Sequence, residues 1–326
     1  MRYSVIVPLH NKEKIIERCL LSILNQTKKP SQVIVIDDAS TDSSLSIVER
    51  FYSKVWILKN RTNQGKALSI NLTIPFVLYP YTLIVDADTY LDKNYVKEVF
   101  KGFKSRRVKG VCGFVLPSET DNFLRSGRLF EYLFGQSLKW IQNKLNCIWV
   151  LCGCATMWRT FFLQKHSIPL DTIVEDMDIS WLVQTQKDYL ERTFKIGYSQ
   201  KAVCYTEEPR TYRELIKQID RWYSYREVIQ KHFKKITINM KALTFLALGL
   251  TITYPVSIAL ACYSITQGNW ELVLYPILTA SVGIIQAIRL KVSVLKSIVG
   301  FFSYLCLSNI IFAVCLKCLI RPKRKW

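Results

Sequence analysis

Carboxylates stand in this sequence where apolar runs end. Asp37-Asp38 closes the run Gln32-Val33-Ile34-Val35-Ile36, and Asp86-Ala87-Asp88 closes Tyr81-Thr82-Leu83-Ile84-Val85. In extended geometry Asp86 and Asp88 project to one side, where they can share a hard divalent cation that keeps waters and bridges to substrate phosphates. Asp also favours strand-to-turn junctions for conformational reasons alone. A further acidic group, Val174-Glu175-Asp176-Met177-Asp178, precedes a helical pattern at Ile179, Leu182 and Val183. There Asp176 reads either as a helix N-cap followed by a favourable first-turn acid, Asp178, or as a general base for an acceptor hydroxyl.

Cationic and aromatic residues complete the set. Asn63-Gln64-Gly65-Lys66-Ala67 lies ahead of a helical run through Asn71; the glycine permits close backbone approach, and Lys66 offers a point charge to phosphate at a helix start. A surface turn accounts for the pentapeptide equally well. Gln218, Arg221 and Trp222 are spaced i, i+3 and i+4, so on a helix they share one patch. Arg can clamp a diphosphate and Trp can stack on a sugar; the same pair also suits the headgroup level of a membrane.

The elements that must position these residues alternate. Short β-branched runs at 3–8, 32–36, 54–58, 81–85 and 110–116 are separated by helical periodicity at 13–26, 43–51 and 93–104. That order predicts a doubly wound, largely parallel sheet, with ligands beyond the carboxyl ends of its strands. Pro8-Leu9-His10-Asn11 fills the first turn, where a dinucleotide-binding glycine loop would be needed, which disfavours a nicotinamide or flavin enzyme. Residues 212–233 carry apolar side chains at the period of an amphipathic helix, expected to lie at a membrane interface.

Composition supports a membrane setting. Of 326 residues half are apolar, and 45 basic against 25 acidic residues give +20, which fits a nucleic-acid binder or a protein held against an anionic membrane. Residues 242–265 hold no charge over 24 positions, enough to cross a hydrocarbon core of about 30 Å. Residues 272–288 and 297–316 are uncharged too, predicting three spans. No cleavable leader is evident, and Lys231, Lys234, Lys235 and Lys241 before the first span place the N-terminal region in the cytosol. A third span conflicts with that rule, since Lys317, Arg321, Lys323, Arg324 and Lys325 then fall outside. Much of the excess charge flanks the spans and no aromatic-basic recognition motif is present, so nucleic acid is not the expected partner. The ten cysteines read as reduced thiols, with a zinc site at Cys147, Cys152 and Cys154 as the less favoured alternative.

Taken in order, Val5-Ile6-Val7-Pro8, Asp37-Asp38-Ala39-Ser40, Asn63-Gln64-Gly65-Lys66-Ala67, Asp86-Ala87-Asp88, Gly153-Cys154-Ala155, Glu175-Asp176 and Gln218-Ile219-Asp220-Arg221-Trp222 resemble the membrane-bound family 2 glycosyltransferases. That branch includes the cellulose, chitin, hyaluronan and poly-N-acetylglucosamine synthases and the ceramide glucosyltransferases. The resemblance implies a GT-A fold, Rossmann-like with a mostly parallel sheet, over residues 1–210. An interfacial helix at 211–235 and a transmembrane region at 236–326 would follow. It implies that Asp37 or Asp38 contacts the base or ribose, Lys66 the diphosphate, and Asp88 a Mg2+ or Mn2+ ion with Asp86 beside the nucleotide-sugar. Asp176 would be the catalytic base, with Glu175 beside it in the substrate site. Gln218, Arg221 and Trp222 would serve diphosphate and acceptor beneath the membrane.

The implied reaction is an inverting transfer from a nucleotide-sugar, UDP-linked by expectation, to a polysaccharide or membrane-lipid acceptor, forming a β-linkage. Val174 replaces the usual Thr before Glu175, and Tyr223-Ser224-Tyr225 follows Trp222 in place of small residues. With few spans in one chain, a processive synthase would need an oligomer. Single addition to a polyprenyl phosphate or other lipid is the alternative, and an inactive membrane scaffold a remoter one.

Overall fold

A computed structural model describes residues 1–246, 263 and 274–320. The chain divides into two units, Met1–Val115 with Val150–Glu207, and Leu116–Trp149 with Glu208–Trp326.

In the first unit, β1 (Ser4–Leu9), α1 (Ile16–Leu24), β2 (Gln32–Asp37), α2 (Ser44–Glu49), β3 (Trp56–Lys59), α3 (Lys66–Thr73) and β4 (Tyr81–Val85) alternate as expected. β5 (Thr89–Leu91), α4 (Tyr95–Phe100) and β6 (Val108–Pro117) follow, and α5 (Phe123–Lys144) belongs to the second unit. β7 (Ala155–Arg159), α6 (Thr160–His166), α7 (Glu175–Thr185) and β8 (Lys195–Thr206) then complete the first. β1 and β2 are buried along nearly their whole length, as central parallel strands covered on both faces must be. α1 covers them with Ile16, Cys19, Leu20 and Ile23, one stripe of helical spacing.

The sheet runs β3-β2-β1-β4-β7-β6-β8-β5. Its first four strands are parallel, whereas β4–β7, β6–β7 and β5–β8 are antiparallel. The sheet is therefore mixed, and the mostly parallel arrangement holds for one half. A parallel return needs a crossover helix laid on the sheet; α5, the helix between β6 and β7, is spent on the other unit, and the chain re-enters reversed. The reversal brings the amino end of β7 to the carboxyl end of β4, with Val85 opposite Ala155. The Asp86 amide consequently donates to the Cys154 carbonyl at 2.9 Å. The buried Tyr95 hydroxyl donates to the Ala155 carbonyl (2.7 Å) and accepts from the Gly113 amide (3.1 Å), tying β7 to β6.

In the second unit, Asn122 caps α5 by accepting from the Arg125 amide at 2.8 Å. α8 (Tyr212–Trp222) and α9 (Arg226–His232) follow, with α10 (Leu274–Arg289) and α11 (Val294–Ile320) at two of the expected spans. The first expected span, 242–265, and the residues from 321 on lie almost wholly outside the described residues. Val294–Cys315, at a mean hydropathy of 2.1 over its most apolar window, is long and apolar enough to cross a membrane; Ile277–Arg289 is shorter. α5 packs closely on α11 through small residues: a Cβ at Gly300 would run into the Ser126 carbonyl, and one at Gly127 would lie 2.5 Å from Ser303 Oγ.

The helix expected over 212–233 is two. After Trp222 the last turn tightens, the Ser224 amide reaching the Arg221 carbonyl at 3.2 Å and the Ser224 hydroxyl donating to the Asp220 carbonyl at 2.6 Å. Leu215 and Ile219 are buried against Leu124, Leu307, Val314 and Cys318. Much of the apolar stripe read as interfacial is thus covered by protein, and Tyr212 and Ile216 remain exposed.

Candidate active site

The loop before α3 is built by Asp38. Its Oδ1 accepts from the Asn60 side chain (2.7 Å) and the Gln64 amide (2.8 Å), and its Oδ2 from the Gly65 amide (2.8 Å). Gly65, at φ +82°, makes the turn that these bonds require. Asp38 is therefore spent on the protein's own loop. Asp37, the other candidate for the nucleoside, accepts among the described residues from the Ser40 amide, at 3.4 Å from either oxygen.

The loop delivers Lys66 to the cleft. Its ammonium lies 2.6 Å from Asp86 Oδ1 and 2.8 Å from Oδ2, donates to the Gly153 carbonyl at 3.2 Å, and stands 3.8 Å from Glu175. Burial works to lower the pKa of Lys66, but Asp86, Glu175 and Asp176 outweigh it and hold the ammonium well above its usual range. For Asp86 burial raises the pKa, as do Asp88 and Glu175, and Lys66 only partly offsets them.

Asp86 and Asp88 do not act as an extended pair. The chain turns after β4, the Thr89 amide donating to the Asp86 carbonyl at 2.9 Å, and the two carboxylates meet different cations. Asp88 pairs with the Lys12 ammonium at 2.8 Å, which is also 4.0 Å from Glu207. Burial lowers the pKa of Lys12, but Asp88 and Glu207 raise it on balance. Sequence reasoning passed over Lys12, although its place just beyond the carboxyl end of β1 was the available signal.

Glu175 is the first residue of α7 and Asp176 the second; the cap position is Val174, which has no side-chain bond to offer. Asp176 is accordingly a first-turn acid and not the N-cap. Its Oδ1 accepts from the Met177 amide at 2.8 Å, and the helix N-terminus favours its anionic form. A Cβ on Gly153 would come within 3.1 Å of Asp176 Oδ2 and 3.4 Å of Lys66 Nζ. Lys66, Gly153, Glu175 and Asp176 also line one pocket, whose other walls are mostly apolar, among them Ile70 and Leu151. The first unit thus gathers Lys66, Asp86, Glu175 and Asp176. Gln218, Arg221 and Trp222 lie together on α8 of the second unit, half-buried.

No group of three or more His, Cys, Asp or Glu side chains forms a metal site among the described residues. Asp88, a partly exposed hard-oxygen donor, fits instead an ion that draws most of its shell from diphosphate and water.

A mixed sheet with these acids and Lys66 at its strand ends has the GT-A glycosyltransferase fold. The mannosyltransferase PcManGT from Pyrobaculum calidifontis, solved with GDP-Man and Mn2+, superposes with a TM-score of 0.65 at 17% identity, covering 99% of this chain and 88% of that one. S. aureus TarS 1-349 in complex with UDP-GlcNAc gives 0.55 at 19% identity, covering 95% and 91%. Residues 4–165 match Glycosyl transferase family 2, and the chain carries a domain of that family. The poly-beta-1,6-N-acetyl-D-glucosamine synthase of Staphylococcus epidermidis is 27% identical over 250 residues, 74% of this chain and 58% of the relative. The poly(ribitol-phosphate) beta-glucosyltransferase of Bacillus spizizenii is 32% identical over 130 residues, 36% of this chain and 20% of the relative. The chain spans little more than half the length of the synthase and a fifth of the glucosyltransferase.

Proposed function

We propose that the protein is an inverting glycosyltransferase, moving a sugar from a UDP-linked donor to a polysaccharide or membrane-lipid acceptor and forming a β-linkage. The observation that carries this reading is the Lys66 ammonium, held between Asp86 and the Gly153 carbonyl beside Asp176 at the start of α7. It puts a cation for a departing diphosphate next to a carboxylate that can take a proton. A relative named as a poly-N-acetylglucosamine synthase, and a fold neighbour solved with UDP-GlcNAc, make UDP-N-acetylglucosamine the first donor to test.

In this reading Asp176 accepts the proton of the acceptor hydroxyl, whose oxygen attacks the anomeric carbon on the face opposite the nucleotide. The bond to the diphosphate breaks, inversion turns an α-linked donor into a β-linked product, and Lys66 meets the charge of the leaving group. Glu175, beside Asp176, lines the sugar site, and Asp37 takes the nucleoside. Asp88 would hold Mg2+ or Mn2+, which when bound would neutralise charge on the diphosphate. Gln218, Arg221 and Trp222 serve the diphosphate and acceptor, and α11 anchors the chain in the membrane.

The test is Asp176→Asn in detergent-solubilised protein with UDP-N-acetylglucosamine and membrane lipid extract. Nucleotide binding should persist within about twofold while transfer falls at least about a hundredfold. Undiminished turnover removes Asp176 from the role. Resolving products by size separates a polymer from a lipid bearing one sugar.

A further inference from the structure

Away from the cleft, the second unit buries charge. Arg125 and Arg128 of α5 are each 1% exposed and Glu208 is 3% exposed. Arg128 Nε donates to Glu208 Oε2 at 2.8 Å, its Nη1 meets Glu131, and its Nη2 lies 3.4 Å from Gln218 Oε1. The guanidinium carbon stands 4.9 Å from the centre of the Trp222 ring and 5.3 Å from that of Tyr132. The Tyr132 hydroxyl donates to the other Glu208 oxygen at 2.7 Å. Arg125 is engaged differently, with Glu119, Asp121 and the Glu208 backbone carbonyl.

Buried ion pairs are weak contributors to stability, since apolar residues of similar volume often serve as well. What Arg128 contributes therefore lies in what it touches. Only a planar guanidinium can bond carboxylate and amide along its edge while laying its face on an indole; a lysine offers a point charge and no face.

We propose that Arg128, fixed by Glu208 and Tyr132, is the positioning residue that sets the Trp222 indole and the Gln218 amide for the acceptor sugar. The inference rests on the proposed function, in which Trp222 and Gln218 serve the acceptor. With one face of the indole under the guanidinium, the sugar stacks on the other, and the Gln218 carbonyl is turned by its bond to Arg128 so that its amide nitrogen points away to donate.

The experiment uses the full chain in detergent, labelled with 5-fluorotryptophan, with UDP-N-acetylglucosamine as donor and a short β-linked N-acetylglucosamine oligosaccharide as acceptor. Eight tryptophans give eight fluorine resonances, and that of residue 222 is the one lost in Trp222→Phe. Arg128→Lys, which keeps the charge, should shift that resonance and raise the acceptor KM about tenfold, leaving donor hydrolysis by water within about twofold. Arg125→Lys, a change at an equally buried arginine, should leave both the resonance and the acceptor KM in place. Glu208→Gln should follow Arg128→Lys. An unmoved resonance in Arg128→Lys, or an equal effect from Arg125→Lys, overturns the positioning role. If Trp222→Ala keeps the wild-type acceptor KM while the resonance still responds to Arg128→Lys, the acceptor role of Trp222 falls and the proposal with it. Loss of donor hydrolysis in every variant including Trp222→Ala would instead contradict the proposed division between donor and acceptor residues.

Discussion

Replacing Asp38 by Asn should loosen the start of α3 without changing the volume of a single side chain. The wild-type carboxylate accepts from two backbone amides at 2.8 Å and from Asn60 at 2.7 Å. An amide in its place has one accepting oxygen, and its NH2 group must face at least one donor. A buried hydrogen bond to a charged acceptor contributes about 1.5–3 kcal/mol, and the stranded amide adds its desolvation, so a loss of about 3 kcal/mol is expected. For a unit of this size that corresponds to about 6–12 °C in Tm. Hydrogen exchange is the sharper assay: protection of the Gln64 and Gly65 amides should fall by about a hundredfold, since 1.4 kcal/mol is tenfold. Asp37→Asn is the comparison, because its 3.4 Å contacts to Ser40 predict a loss under about 1 kcal/mol. Gln64 and Gly65 amides as protected in Asp38→Asn as in the wild type would refute the reasoning.

Lys66→Gln takes the ammonium from Asp86 and Glu175, and calorimetric titration with UDP should show binding at least about tenfold weaker; an unaltered Kd takes Lys66 away from the diphosphate. Gly153→Ala inserts a methyl group 3.1 Å from Asp176 Oδ2, so kcat should drop about tenfold with Tm held within about 2 °C; full activity would mean that Asp176 has room to spare. Lys12→Met frees Asp88 from a partly exposed pair of about 1 kcal/mol, and Mn2+ binding followed by the paramagnetic resonance of free Mn2+ should tighten several-fold. Weaker Mn2+ binding in that variant would show that Lys12 supports the ion site.

The parallel half of the sheet was legible because strands buried on both faces read as unbroken apolar runs, so β1, β2 and β4 could be placed directly, with the acids at the ends of β2 and β4. β8 escaped because it mixes buried and exposed positions along its length, and β7 because Ala155–Arg159 holds a single β-branched residue, Thr156, and closes on an arginine. α5 hid behind its own arginines: Arg125 and Arg128 occupy core positions that an apolar periodicity does not count. The site divides the same way. The places of Lys66 and Asp176 at helix starts were legible from local spacing, whereas the use of Asp38 depends on partners 22 to 27 residues away, and the pairing of Lys12 with Asp88 on the meeting of two loops. No rule of spacing along the chain reports either.

The ammonium groups of Lys12 and Lys66 keep company in the first unit with five carboxylates, those of Asp86, Asp88, Glu175, Asp176 and Glu207. Five carboxylates against two ammonium groups make this a local concentration of negative charge. Such a cluster repels any anion that arrives without a counter-ion. On the proposed function, free phosphate or a bare diphosphate is disfavoured by the same charges that would accept a nucleotide bringing a divalent cation with it. The cleft is thereby biased towards one ionic form of its donor before any sugar or base is read.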